Sequence, residues 1–324
     1  MTGRIEIDKP LWDLNTFTGR FNYFAWMTDP RTCILPSSQL LEAKELLDKY
    51  RKGQEPSTTK REDVVYAMKL YKSAFHPDTG ELQNFTGRMS FQVPGGMLIT
   101  GAMLSFYRTT GAVVFWQFVN QSFNAVVNYT NRNAKSPTTV NQLIGAYLSA
   151  TSAAVATAIG FKNFVMKRAS PLLQRYVPFT AVAAANCVNI PLMRQNEIIN
   201  GIDVEDHNGN TVGKSRVAAV KGIFQVVQAR IAMAAPGMLV LPIIMERLEK
   251  YPGFKRMTGL HAPFQTIAVG MFLLFMVPSS CAIYPQRCSL RTSTIKLIEP
   301  EFYDEMVKNT SGNVPEKVYF NKGL

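Results

Sequence analysis

Between Val93 and Met193 the chain contains no aspartate and no glutamate. A soluble domain of that length carries acids on its surface, so this stretch is not built to face water. The gap also removes carboxylate pairs, and with them acid–base chemistry and hard-metal binding inside the stretch. Cysteine is scarce too: Cys33, Cys187, Cys281 and Cys288 form no CxxC pair and no zinc spacing. Cys187 and Cys281 lie inside apolar runs and read as small core residues. Three histidines, in three separate regions, leave little for a histidine-rich metal site or a bis-histidine haem. There is no GxSxG, HExxH, Walker loop or GxGxxG after a strand, so no enzyme class is supported and nothing calls for a cofactor. The first fifteen residues lack an apolar signal core, and Glu6, Asp8 and Asp13 argue against a cleavable mitochondrial presequence.

What is present is unevenly spread. The 324 residues carry a net charge of +12, and a mean hydropathy of −0.01 suggests an ordinary soluble protein. Yet residues 1–92 hold 13 Lys+Arg and 12 Asp+Glu, a balanced soluble composition. Beyond them the cations mostly flank apolar runs, which marks membrane topology and not a nucleic-acid partner. Residues 38–52 read as an amphipathic helix stopped by Gly53. Thr59 and Glu62 form a capping box for a second helix over 60–75, ended by Pro77. Five apolar segments follow, at about 97–119, 140–161, 172–193, 226–245 and 264–285, each near the ~20 residues a span requires. The expected fold is an all-α integral membrane protein with about five transmembrane helices behind a small helical soluble domain. Its parts are 1–92, a transmembrane domain 93–288, and a C-terminal tail 289–324. The second segment repeats small residues every four positions, among them Ala146, Ala150, Ala154 and Ala158, which suits close helix packing in lipid. Cations concentrate in the 162–175 and 246–263 loops, which sets the N-terminal domain on the positive side and the C-terminus opposite.

Asn120, Asn124, Asn128 and Asn131 fall four, four and three residues apart, with Gln121 beside the first. That spacing puts carboxamides on one helix face. Amides are costly in hydrocarbon without partners, so the stripe should face protein, water or a solute. Asn186 and Asn189 extend the theme just before Pro191, and Pro236-Gly237 interrupts the fourth segment. Helix breaks of this kind can expose backbone to a substrate, or be ordinary kinks. Arg108 sits within the first apolar run, either to hold a carboxylate or to reach the surface where the helix breaks at Thr109-Thr110-Gly111. His76, Asp78 and Glu81 of HPDTGE could bind a cation or gate a solute path, or simply shape and cap a turn around Pro77.

HPDTGE at 76–81, GRMSFQ at 87–92, FYRTT at 106–110, NQSFNAVVNYTNRNA at 120–134, VPFTAVAAANCVNIPLMRQNE at 177–197, APGM at 235–238 and the terminal YFNKGL resemble the sideroflexins over essentially the whole chain. MSFQVPGG, LPIIMERLEK and HAPFQ are similar to a single branch of that family. The resemblance implies a multi-pass protein of the mitochondrial inner membrane, imported without a cleaved presequence, with its N-terminal domain in the matrix. It implies transport of small neutral amino acids, serine above all, for one-carbon metabolism, and links to iron, haem and respiratory-chain homeostasis. The expected partners are serine and membrane lipid, with no nucleic acid. In this reading Asn120, Asn124, Asn128 and Asn186 contact the solute, Arg108 holds its carboxylate, and Asp78 and Glu81 anchor its ammonium or gate the path. A carrier of iron or an iron ligand stands as the alternative, as does a scaffold for respiratory-chain assembly, with oligomerisation left open.

Overall fold

The computed structural model describes residues 4–77, 79–107, 109–131, 139–166, 171–310 and 312–323. In chain order the helices are α1 (Phe17–Met27), α2 (Ser37–Lys52), α3 (Arg61–Ala74), α4 (Gln92–Phe106), α5 (Thr110–Thr130), α6 (Val140–Met166), α7 (Pro171–Gln174), α8 (Val177–Met193), α9 (Gln195–Asn200), α10 (Arg216–Leu248), α11 (Pro252–Arg256), α12 (Thr258–Ile283), α13 (Thr292–Ile298) and α14 (Pro300–Asn309). Strands β1 (Ile202–Glu205), β2 (Thr211–Ser215), β3 (Arg287–Arg291) and β4 (Lys317–Asn321) form one antiparallel sheet in the order β2-β1-β4-β3. Three helices among the described residues are long and apolar enough to cross a membrane: α6 over 140–164, α10 and α12. The apolar α8 has 17 residues. The helical membrane class is therefore as the apolar pattern implied.

The chain divides into two compact units, residues 1–131 with 236–282, and 132–235 with 283–324. In the first, Leu40, Ala43 and Leu47 of α2 pack on Val64, Ala67 and Met68 of α3, all buried. Gly53, at φ 71°, stops α2 in the left-handed conformation that glycine adopts at no steric cost. The cap of α3 sits one residue beyond the expected pair: Asp63 Oδ2 accepts from the Lys60 backbone N–H at 2.9 Å. Pro77 is not what ends this helix. Phe75 leaves it and pairs with Leu82 across an antiparallel bridge.

The segment expected as a single span over 97–119 is two helices. α4 stops at Phe106, and the Thr109 hydroxyl starts α5 by accepting from Ala112 N at 3.1 Å. α4 has 15 residues, about 22 Å of helix, short of the ~30 Å hydrocarbon core. α5 then returns beside it, since its last residues bond to the chain just before α4. Gln83 Nε2 donates to Asn131 Oδ1 at 2.7 Å, and Asn84 Nδ2 to Thr130 Oγ1 at 3.1 Å. The pair is a helical hairpin.

α12 runs antiparallel to α4. A Cβ at Gly101 would sit 2.7 Å from Thr266 Cα, one at Gly270 would sit 2.4 Å from Met97 Sδ, and Leu273 lies against Gly96. Leu241 and Met245 of α10 complete this core with Val269 and Leu104. Arg20 of α1 donates its Nε–H to the Ala282 carbonyl at 2.8 Å, placing a cation at the C-terminal end of α12. α1 and the exit of α12 thus share one end of this unit.

In the second unit Ala146, Ala150, Ala154 and Ala158 of α6 are buried, as are Ala181 and Ala185 of α8, the helix α6 packs on most extensively. The segment read as a tail, 289–324, carries β3's end, α13, α14 and β4, and shares a core with β1 and β2 through Val204, Val212, Leu290, Phe302, Val318 and Phe320. Glu299 caps α10 from a distance: its carboxylate accepts from Arg216 N at 2.8 Å and from Ser215 Oγ at 2.5 Å. Pro191 and Pro236 both lie inside continuous helices, so the expected helix breaks are absent. A proline forfeits one backbone bond, and the flanking turns hold the rest. The division of α10 between the two units nevertheless falls at Pro236.

Candidate functional site

The polar face of the α4–α5 hairpin is the strongest candidate. Residues 117, 120, 121, 124, 128 and 131 recur at three and four along α5 and so share one side. Gln117 is 0 % exposed and Gln121 3 %, while Asn120 and Asn124 are half-buried. Gln117 Nε2 donates to Tyr107 Oη at 2.6 Å, which ties α5 to the turn after α4. Its Oε1 is buried with no hydrogen-bond partner, and so is Asn120 Nδ2. The hairpin adds Gln92 Nε2 and Ser105 Oγ near the two ends of α4, so four of the six such side-chain atoms among the described residues belong to it. Each buried unpartnered group costs about 1–3 kcal/mol, so their concentration on one hairpin marks it as a candidate site.

The other expected residues are placed as follows. Asn131, the end of the stripe, is fully used within the fold: its Nδ2 donates to Gly87 O at 3.0 Å and Val127 O at 2.9 Å, and its Oδ1 accepts from Gln83. Asp78 and Arg108 lie outside the described residues, as does the side chain of Asn128. His76 is buried in a tight turn, its Nδ1 accepting from Thr79 N at 3.3 Å and its backbone N–H donating to Glu81 O at 2.9 Å. Lys44 closes the same turn on Gly80 O at 2.8 Å, with Gly80 at φ 66°. The Glu81 side chain is exposed. The turn therefore serves the N-terminal fold through His76, Thr79 and Gly80. Asn186 and Asn189 lie on α8, in the other unit, with Asn189 6 % exposed. The structure does not bring them together with the α5 stripe in one unit.

Gln117 was missed in the sequence, although the signal was there. It lies three residues before Asn120 and four before Gln121, so the amide stripe begins one turn earlier than its asparagines. The described side chains of the site carry no formal charge. Among the described residues no group of three or more His, Cys, Asp or Glu side chains is placed to hold a metal. Carboxamides and hydroxyls both donate and accept, which suits recognition of a small polar neutral or zwitterionic solute.

Three helices long and apolar enough to span, with a polar helical hairpin, define the class of a multi-pass membrane protein. The Sideroflexins family profile matches residues 6–324. The chain is 67 % identical to sideroflexin-2 of Drosophila melanogaster over 99 % of its own length and 98 % of that protein. It is 56 % identical to sideroflexin-2 of Homo sapiens, with 98 % of each covered, and 51 % identical to sideroflexin-1 of Mus musculus, with 99 % and 98 % covered. The chain belongs to the sideroflexin family. Sideroflexin-2 proteins match it at 56–67 % identity over nearly its full length. No solved structure matches it.

Proposed function

We propose that this protein carries small neutral amino acids, chiefly serine, across the mitochondrial inner membrane, with its N-terminal domain in the matrix, and so supports one-carbon metabolism. The observation that carries the reading is the buried, uncharged and incompletely satisfied amide face of α5, with Asn120 Nδ2 and Gln117 Oε1 lacking partners. Such a face favours a net-neutral solute able to give and take hydrogen bonds over a bare ion. In this reading Asn120 and Asn124 bond to the solute's polar groups, and Arg108 holds its carboxylate. The family resemblance supports the substrate class and the membrane.

The test is uptake of labelled serine by liposomes holding the purified protein, against empty liposomes, with unlabelled serine, alanine, cysteine and citrate as competitors. Saturable uptake blocked by the small neutral amino acids and not by citrate is expected. No uptake by folded, inserted protein would defeat the reading and shift weight to a scaffold or an iron-linked role.

A further inference from the structure

We propose that Gln117 reads the side-chain hydroxyl of the transported solute and so sets selectivity for a hydroxylated over a plain small amino acid; this rests on the amino-acid transport reading above. The side chain is wholly buried, its Nε2 is committed to Tyr107 Oη at 2.6 Å, and its Oε1 has no partner. Tyr107 reaches only one end of the amide, so in either amide orientation one polar atom is left over. An apolar residue of similar shape would fill the same volume without that cost, and α5 is otherwise rich in such residues, Val113, Val114, Phe115 and Phe118 among them. One turn on, Asn120 presents an unpartnered donor, Nδ2. A free acceptor and a free donor thus lie three residues apart on one helix face, with about 5–6 Å between their Cβ atoms. That spacing fits one small molecule able to donate at one end and accept at the other.

The donor that suits Gln117 Oε1 is a neutral one. No carboxylate lies between residues 93 and 193 to balance an ammonium there, and a single amide oxygen is poor compensation for a desolvated cation. A hydroxyl has no charge to lose and needs one acceptor. A solute without it enters the same site and leaves Oε1 unpaired, and an unpaired buried acceptor is what lets a protein reject an analogue that lacks the group. Tyr107 acts as a positioning residue by holding one end of the amide, and a hydroxyl, able to donate or accept, pairs with whichever end is left.

The experiment compares wild type with Gln117→Leu, both full length in liposomes. It follows initial uptake of labelled serine and labelled alanine in parallel, and the melting of each purified protein. The serine-to-alanine ratio is expected to fall about tenfold, with melting lowered only by what the lost Tyr107 bond accounts for. An unchanged ratio overturns the proposal. So does an equal loss of both substrates, and melting then tells whether Gln117 serves the part common to all amino acids or the fold. Should Gln117→Leu fail to insert, Gln117→Met, unbranched and close in volume, carries the same comparison. Wild type moving neither substrate overturns the transport reading itself, and the proposal with it, before any variant is compared.

Discussion

Asn120 lies on α5 and Asn131 caps its end, and their surroundings treat the two side chains in opposite ways. Asn131 makes three hydrogen bonds that pin the end of α5 to Gln83 and Gly87. Asn131→Ala removes them and leaves the buried Gln83 amide unpartnered, an expected loss of about 2–3 kcal/mol visible as a lower melting temperature. Asn120 keeps a buried donor with no partner, which the proposed function gives to a solute. Spacing alone made the two look equivalent; what separates them is which groups lie opposite, and that is a tertiary fact. Asp29 shows the same principle near the N-terminal helices. Arg31 holds its carboxyl well below the ordinary range through a paired hydrogen bond, with Lys69 Nζ adding a second cation at 2.5 Å. Because the folded form favours the ionised state, this contribution is present at neutral pH and is lost as the pH falls through the carboxylate range towards the depressed value. Asp29→Asn should therefore melt lower than wild type at pH 7, with the gap narrowing below about pH 4. A gap independent of pH would contradict the assignment.

At the scale of elements, the helix patterns were the most legible. α2 and its Gly53 stop, the small-residue seam of α6, and the three spanning helices follow from periodicity and composition. The break inside 97–119 was visible only as a polar interruption at Arg108-Thr109-Thr110. Hydropathy averages over such an interruption, whereas one hydroxyl cap is enough to start a new helix there. The hairpin makes a prediction a single span does not. With the four native cysteines replaced, Asn84→Cys and Thr130→Cys should form a disulfide on oxidation, because the native side chains are in contact at 3.1 Å. If the segment crossed the membrane once, the two positions would lie on opposite sides and no cross-link would form.

At the scale of the molecule, the sheet was the least legible part. Its strands have four or five residues each, and β1 and β2 are separated from β3 and β4 by α10 and α12. No local signal announces a pairing across that distance. The pairing explains the terminal YFNKGL segment: Phe320 is 1 % exposed in the sheet core, and the Lys322 carbonyl accepts from Arg194 Nη1 at 2.8 Å. Phe320→Ala should cost about 3–5 kcal/mol, and loss of the last residues should destabilise 202–218 as well as the C-terminus. Hydrogen exchange across β1 and β2 reads this directly. The amide face, by contrast, was mostly legible because helical spacing is local. Its first member, Gln117, was hidden among aromatic neighbours, and only burial shows that its oxygen has nothing to bond.

The central claim is that the α5 amides are kept for a solute and not for the fold. The most direct measurement pairs serine uptake with thermal melting for Asn120→Leu, in full-length protein reconstituted beside wild type. Removing a buried donor that has no partner should leave the melting temperature unchanged or raised, while serine uptake is lost. A variant that melts lower and still takes up serine like wild type would show that Asn120 serves packing, and would contradict the account.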